Sequence, residues 1–247
     1  METDTKPSAA VALEKYSTPI AVLVGAVIIA FALTYAKPPN QGVAANPGQP
    51  QPDAAALQKQ LDNIAPITSE DHIRGNPDAP VKIVEYSDTE CPFCKRFHET
   101  MREVMSEYET GGEVAWVYRH FPLDSLHKKA RSEAVALECA NELGGNDAFW
   151  KYADRLFEVT PSNDGLDAAE LPKIATFVGL DAVAFSACAS SGRYDAHIEA
   201  EAQNAMSTGG QGTPWSIIVT KDGKKYPLSG AQPLESVKQA VETALKN

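Results

Sequence analysis

"VKIVEYSDTECPFCKRF", residues 81–97, is the stretch that decides the fold. It runs from a β-branched segment, through two cysteines two residues apart, into a helical pattern. "VKIVEY" (81–86) reads as a short strand, with Asn76-Pro77 and Ala79-Pro80 punctuating the approach to it. After the cysteines, Phe93, Phe97, Met101, Val104, Met105 and Tyr108 recur at helical spacing, and Gly111-Gly112 ends that helix. "EVAWVYRHF" (113–121) is then a second strand, apolar enough to be central. Strand, helix, strand predicts a βαβ unit with parallel strands.

Further along, Leu126, Ala130, Ala134 and Leu137 mark one helix face, closed by Gly144-Gly145. Phe149, Trp150, Ala153, Leu156 and Phe157 mark a second helix. Asp167 and Asp181 are N-cap candidates for two shorter ones, and another helix covers about 193–206. "GGQGTPWSIIVT" leads into a strand, Asp222-Gly223 turns a hairpin, "KKYPL" pairs back, and "PLESVKQAVETALK" is a last amphipathic helix. The order predicts an α/β fold: one mixed sheet built from the two ends, with an all-helical insertion at about 123–207 between them.

The chain has 247 residues and a formal charge of −11, which argues against a nucleic-acid partner. Residues 16–36 carry no charge and are just long enough to span a bilayer. They predict a single-pass anchor after a short cytoplasmic tail (1–36), with the remainder on the periplasmic or extracellular side. A cleaved signal peptide, and hence a secreted protein, is the alternative, since Thr34-Tyr35-Ala36 offers small residues for cleavage. Residues 37–65, rich in Pro, Gln and Gly, read as a flexible linker, and 66–247 as the folded domain.

The cysteine pair admits three chemistries. A zinc knuckle needs four ligands, and no second CxxC exists. An inert disulfide would close a tiny loop and stabilise little. A redox pair suits the context better: Cys91 falls at a helix N-terminus, where free N–H groups favour a thiolate, and Pro92 suits the first helical position. Cys94 lies one turn on and can resolve a mixed disulfide. Lys95 and Arg96 should favour the Cys91 thiolate; Asp88 and Glu90 should oppose it. "GTPW" (212–215) reads alone as a turn. After a CxxC-bearing βαβ unit it suggests a cis-proline loop facing the cysteines.

"VKIVEYSDTECPFCKRF", "WVYRHFPL" and "GTPW", with the helical insertion, resemble the DsbA-type thiol:disulfide oxidoreductases of the thioredoxin superfamily, over roughly residues 67–245. The resemblance implies Cys91 as nucleophile, Cys94 as resolving cysteine and Pro214 as the cis-proline. Pro92, Phe93, Thr213 and Trp215 would line the substrate groove, and Glu85 would be the buried acid beneath the active site. It implies disulfide formation in partly folded exported proteins, without a cofactor, and a DsbB-like or VKOR-like membrane reoxidant. A reductase or isomerase of the same fold and a non-catalytic chaperone are the rivals. Phe93 stands where the enterobacterial enzyme has His in its dipeptide, which implies a weaker oxidant.

Cys139 and Cys188 are either two buried thiols or a second disulfide. An exported chain favours the disulfide, and some DsbA-like proteins are similar in carrying such a bridge. The five histidines look scattered, with His72, His127 and His197 at the surface and His98 on the solvated side of its helix. No metal spacing stands out.

Overall fold

The computed structural model describes residues 54–246 apart from Glu109. The expected anchor at 16–36 and the first part of the linker lie outside the described residues. No helix among the described residues is long and apolar enough to cross a membrane.

Five strands form one sheet: β1 (His72–Gly75), β2 (Val81–Ser87), β3 (Val114–His120), β4 (Trp215–Thr220) and β5 (Lys225–Ser229), in the order β1-β3-β2-β4-β5. β2 and β3 are parallel, joined by helix α2 (Pro92–Tyr108), so the βαβ unit is as the pattern predicts. The β1–β3, β2–β4 and β4–β5 pairings are antiparallel. At the β4–β5 turn Gly223 takes φ +84°, a conformation suited to glycine.

Two elements escape the sequence pattern. β1 is four residues of mixed polarity, too short to show alternation. Helix α1 (Ala54–Leu61) falls inside the stretch read as linker, and its Leu61 is buried.

Side chains alternate across the sheet and divide the core in two. Val81, Ile83, Trp116 and Tyr118 face one layer, packed with α2, α3 and α7 (Leu234–Lys246). Val84, Tyr86, Val117 and Ile217 face the other, against Leu61, Ala202 and Ala205. This alternation puts Glu85, Ser87 and His120 on the α2 side. In α2 the buried stripe is Cys94, Phe97, His98, Met101, Val104 and Met105. Cys94 therefore points inward for the same reason that Phe97 and Met101 do.

The insertion is α3 (Ala130–Val159), α4 (Glu170–Phe177), α5 (Ala182–Ala189) and α6 (Asp195–Ser207). Helical geometry in α3 breaks at Gly145 (φ 71°, ψ −172°). A Cβ on neighbouring Gly144 would lie 2.5 Å from the Ala148 Cβ, so the Gly144-Gly145 pair is where the first helical run stops. Asp181 caps α5 through the N–H groups of Val183 and Ala184. Asp167 instead accepts from Ala169 N–H, in the turn before α4. Leu126, read as part of a helix face, is exposed in the turn ahead of α3. Cys139 in α3 and Cys188 in α5 are joined by a disulfide.

Candidate active site

β2 ends at Ser87, and residues 88–91 carry the chain to α2, whose first residue is Pro92. Cys91 thus occupies the N-cap position. Its Sγ receives the backbone N–H groups of Phe93 and Cys94, which no helical carbonyl can satisfy. The Cys91 thiol is lowered to about 6, above all by its hydrogen bond with the Cys94 thiol. Burial opposes this, and the Thr213 side chain and the two N–H groups add to it. Lys95 and Arg96 are engaged elsewhere. Lys95 Nζ donates to the carbonyls of Glu158 and Thr160, and Arg96 stacks over the Phe93 ring. The N-terminal dipoles and the partner thiol therefore do what the sequence reading gives to these two charges.

Cys94 is fully buried, and burial, then the neighbouring Cys91 and Glu85, raises its thiol well above the ordinary range. Asp88 N–H donates to Cys94 Sγ at 3.4 Å. Cys91 keeps 4% exposure, so it is the sulfur within reach of a partner. Beside it Phe93 is 54% exposed and Pro92 is exposed as well.

The Thr213-Pro214 bond is cis, and Cys91 Sγ donates to the Thr213 carbonyl at 3.5 Å. Thr213 Oγ1 is buried beside the sulfur, where its hydroxyl favours a thiolate. Thr213, Pro214 and Trp215 line one side of a groove of about 290 Å³ with Gln211 and Ser229. Trp215 is mostly buried, its Nε1–H donating to Thr208 Oγ1. It forms the floor of this groove rather than an exposed wall.

Glu85 is fully buried on the Cys94 side of the sheet. Trp116 Nε1–H donates to its Oε2 at 2.9 Å, and burial raises the carboxyl to about 7. Glu85 pairs in register with Tyr118 and Ser216. Glu85 Oε1, Tyr118 OH, Ser87 Oγ and Ser216 Oγ are all buried without partners. A polar pocket thus lies in the core next to the resolving cysteine.

A second acidic group surrounds the loop. Asp88 accepts from Leu123 N–H, Glu90 N–H and His127 Nδ1. Glu133 is raised to about 9, first by burial and then by its hydrogen bond with Glu90. Glu90 also holds the insertion, its backbone and side chain accepting from Asn163 and Asp164 N–H. The sequence reading misses Glu133 and His127, because both lie in the insertion, far along the chain. It also places His72, His98 and His127 wrongly at the surface or the solvated side of a helix: all three are buried. His98 bonds Asp154 and stacks on Phe157.

Together the fold and the site define a thiol–disulfide oxidoreductase on the thioredoxin scaffold, with an inserted helical layer. Residues 68–243 match the family described as Thioredoxin, and the chain belongs to it. Among solved structures, DsbA2 of Pseudomonas aeruginosa is 28% identical, with a TM-score of 0.62, covering 74% of this chain and 98% of that one. A thioredoxin-like oxidoreductase of Silicibacter pomeroyi is 25% identical, with a TM-score of 0.58, covering 77% and 98%. BdbD of Bacillus subtilis, at 21% identity and a TM-score of 0.64 over 74% and 97%, shares the fold. The Na(+)/H(+) antiporter NhaA 3 of Salinispora tropica is 32% identical over 74% of this chain, but only 26% of that protein is matched. The chain spans about a quarter or less of the antiporter relatives it matches.

Proposed function

We propose that the chain introduces disulfides into exported proteins, as a dithiol oxidase held at the outer face of a membrane by residues 16–36. The depressed Cys91 thiol carries this reading. A thiolate that is stable at neutral pH is a good leaving group and favours the reduced enzyme, which makes the oxidised form a stronger oxidant. The likeness to DsbA2 supports the same direction.

In the first step a client thiolate attacks Cys91 Sγ of the oxidised pair. The client–Cys91 bond forms, the Cys91–Cys94 bond breaks, and Cys94 leaves as a thiolate. Glu85, which holds its proton up to about pH 7, can protonate it. In the second step another client thiolate attacks the client's own sulfur in the mixed disulfide. A client disulfide forms and Cys91 departs as its stabilised thiolate. The client backbone would lie along Thr213, with Phe93 and Pro92 meeting its side chains. A DsbB-like or VKOR-like membrane partner would then withdraw the two electrons.

Equilibration of the pair in a series of glutathione buffers tests the direction of flow. A potential well above that of thioredoxin, about −270 mV, is expected. A value at or below it means a reductase.

A further inference from the structure

Away from the cysteines, a buried cluster has no part in the exchange chemistry. His72 Nε2 lies 2.7 Å and His120 Nε2 2.9 Å from the same atom, Glu138 Oε1. His197 Nε2 approaches that oxygen too, at 3.6 Å. Two buried imidazole nitrogens thus meet one carboxylate oxygen, which has a lone pair for each, while His197 stands beyond hydrogen-bond reach. As a coordination shell the group of three is nearly the right size. Four ligands at about 2.0–2.1 Å in a tetrahedron stand about 3.3 Å from one another. The His72 and His120 donor atoms stand 2.7 and 2.9 Å from Glu138 Oε1, and all three lie within 4.8 Å of one another.

We propose that His72, His120 and Glu138 bind one divalent borderline cation of the zinc class, with the fourth position of a tetrahedron left to a solvent ligand. Imidazole-rich donors select such a metal over Mg²⁺ or Ca²⁺, which prefer shells of oxygen. The remaining parts of a metal site are also present. Glu201 Oε2 accepts from the backbone N–H of His120 and so fixes the end of the strand that carries this ligand. Phe149 stacks on the His72 ring at 3.7 Å and walls the inner side. A cleft of about 180 Å³, lined by Glu70, Asp71, His197 and Glu201 among others, reaches His197, whose Nε2 lies 3.6 Å from Glu138 Oε1.

The ligands come from β1, β3 and α3, so the cation would pin the sheet to the first inserted helix. It would also sit close to the redox loop. His120 pairs across the sheet with Ser87, the last residue of β2, and Phe121 N–H donates to the Ser87 carbonyl. On binding, each imidazole must present a lone pair at Nε2. Its proton there moves to Nδ1 or to solvent, with no change in any oxidation state.

The test uses the full chain with Cys91–Cys94 oxidised by glutathione disulfide, so that no thiolate competes for metal. The protein is stripped with EDTA and titrated with Co²⁺, then with Zn²⁺. One equivalent of Co²⁺ with the strong visible bands of four-coordinate nitrogen and oxygen ligation is expected, displaced by Zn²⁺. Zn²⁺ should also raise the melting temperature, whereas Ca²⁺ should not. His120→Ala should weaken Co²⁺ binding at least 100-fold. Glu138→Gln, which keeps the size of the side chain, should weaken it at least 10-fold, and it decides the matter if the first variant does not fold. Weak six-coordinate bands, saturation only in the millimolar range, or unchanged affinity in Glu138→Gln would overturn the site.

Discussion

Raising the pH should separate a Cys91 thiolate from a Cys91 thiol by the slope of the reduction potential. Below pH 6 the disulfide takes up two protons with its two electrons, and the potential falls by about 59 mV per pH unit. Above the Cys91 value of about 6 only Cys94 takes up a proton, and the slope halves to about 30 mV. Between pH 6 and pH 8 the potential should therefore fall by about 60 mV, not about 120 mV. At pH 7, an acid of about 6 in place of an ordinary thiol near 9 favours the reduced form about tenfold, or about 30 mV. Glu85 titrates near 7 in the same interval, and the thiolate beside it raises its value. Reduction then draws in an extra part of a proton, making the wild type steeper near pH 7 than Glu85→Gln. The assay is glutathione equilibration at half-unit pH steps on both proteins, read by tryptophan fluorescence or thiol alkylation. If Glu85→Gln kept a 59 mV slope up to pH 8, Cys91 would not be ionised, and the N-cap argument would fall.

Cys91→Ala should abolish turnover, whereas Cys94→Ala should accumulate mixed disulfides with clients on non-reducing gels; the opposite pattern would mean that the roles are exchanged. Glu85→Gln should change the pH profile of stability. Burial raises the folded carboxyl from 4.5 to about 7, so its favourable contribution is complete below the unfolded value and lost as pH rises through 7. The loss reaches about 3 kcal/mol, and urea unfolding should show the variant gaining on the wild type by that order between pH 4.5 and 8; parallel profiles would refute the burial account. Replacing Cys139 and Cys188 together by Ser should lower stability by about 4 kcal/mol, the chain-entropy value for a loop of their 49-residue separation. A loss below about 1 kcal/mol would mean that the bridge is offset elsewhere.

The βαβ unit was legible because its residues are neighbours in sequence. Val81, Ile83, Phe97, Met101 and Trp116 follow strand and helix periods without interruption, and the cysteines sit at the join. The GTPW loop was legible by its proline and by what precedes it. Burial of the histidines was not. His98 takes its place on the apolar stripe of α2 because Asp154, 56 residues on, meets its ring nitrogen. His72 is buried because β1 adds to the sheet edge and Glu138 comes over it, pairings that no local period records. The source of the Cys91 shift was half legible. The helix terminus is written in Pro92, but whether Lys95 reaches the sulfur or turns to Thr160 depends on where the insertion folds back.

The carboxyls around the redox loop bear on how a client approaches it. Glu85, Asp88, Glu90 and Glu133 would, if all were bare anions, repel the negatively charged sulfur that must reach Cys91. The folded chain mutes them one by one. Glu133 remains a neutral acid hydrogen-bonded to Glu90, Asp88 faces the His127 ring, and Glu85 is about half protonated at pH 7. The incoming thiolate thus meets less negative charge at the entrance than four bare carboxylates would carry, in a strongly acidic protein. Ionic strength should consequently have little influence on the rate of client oxidation.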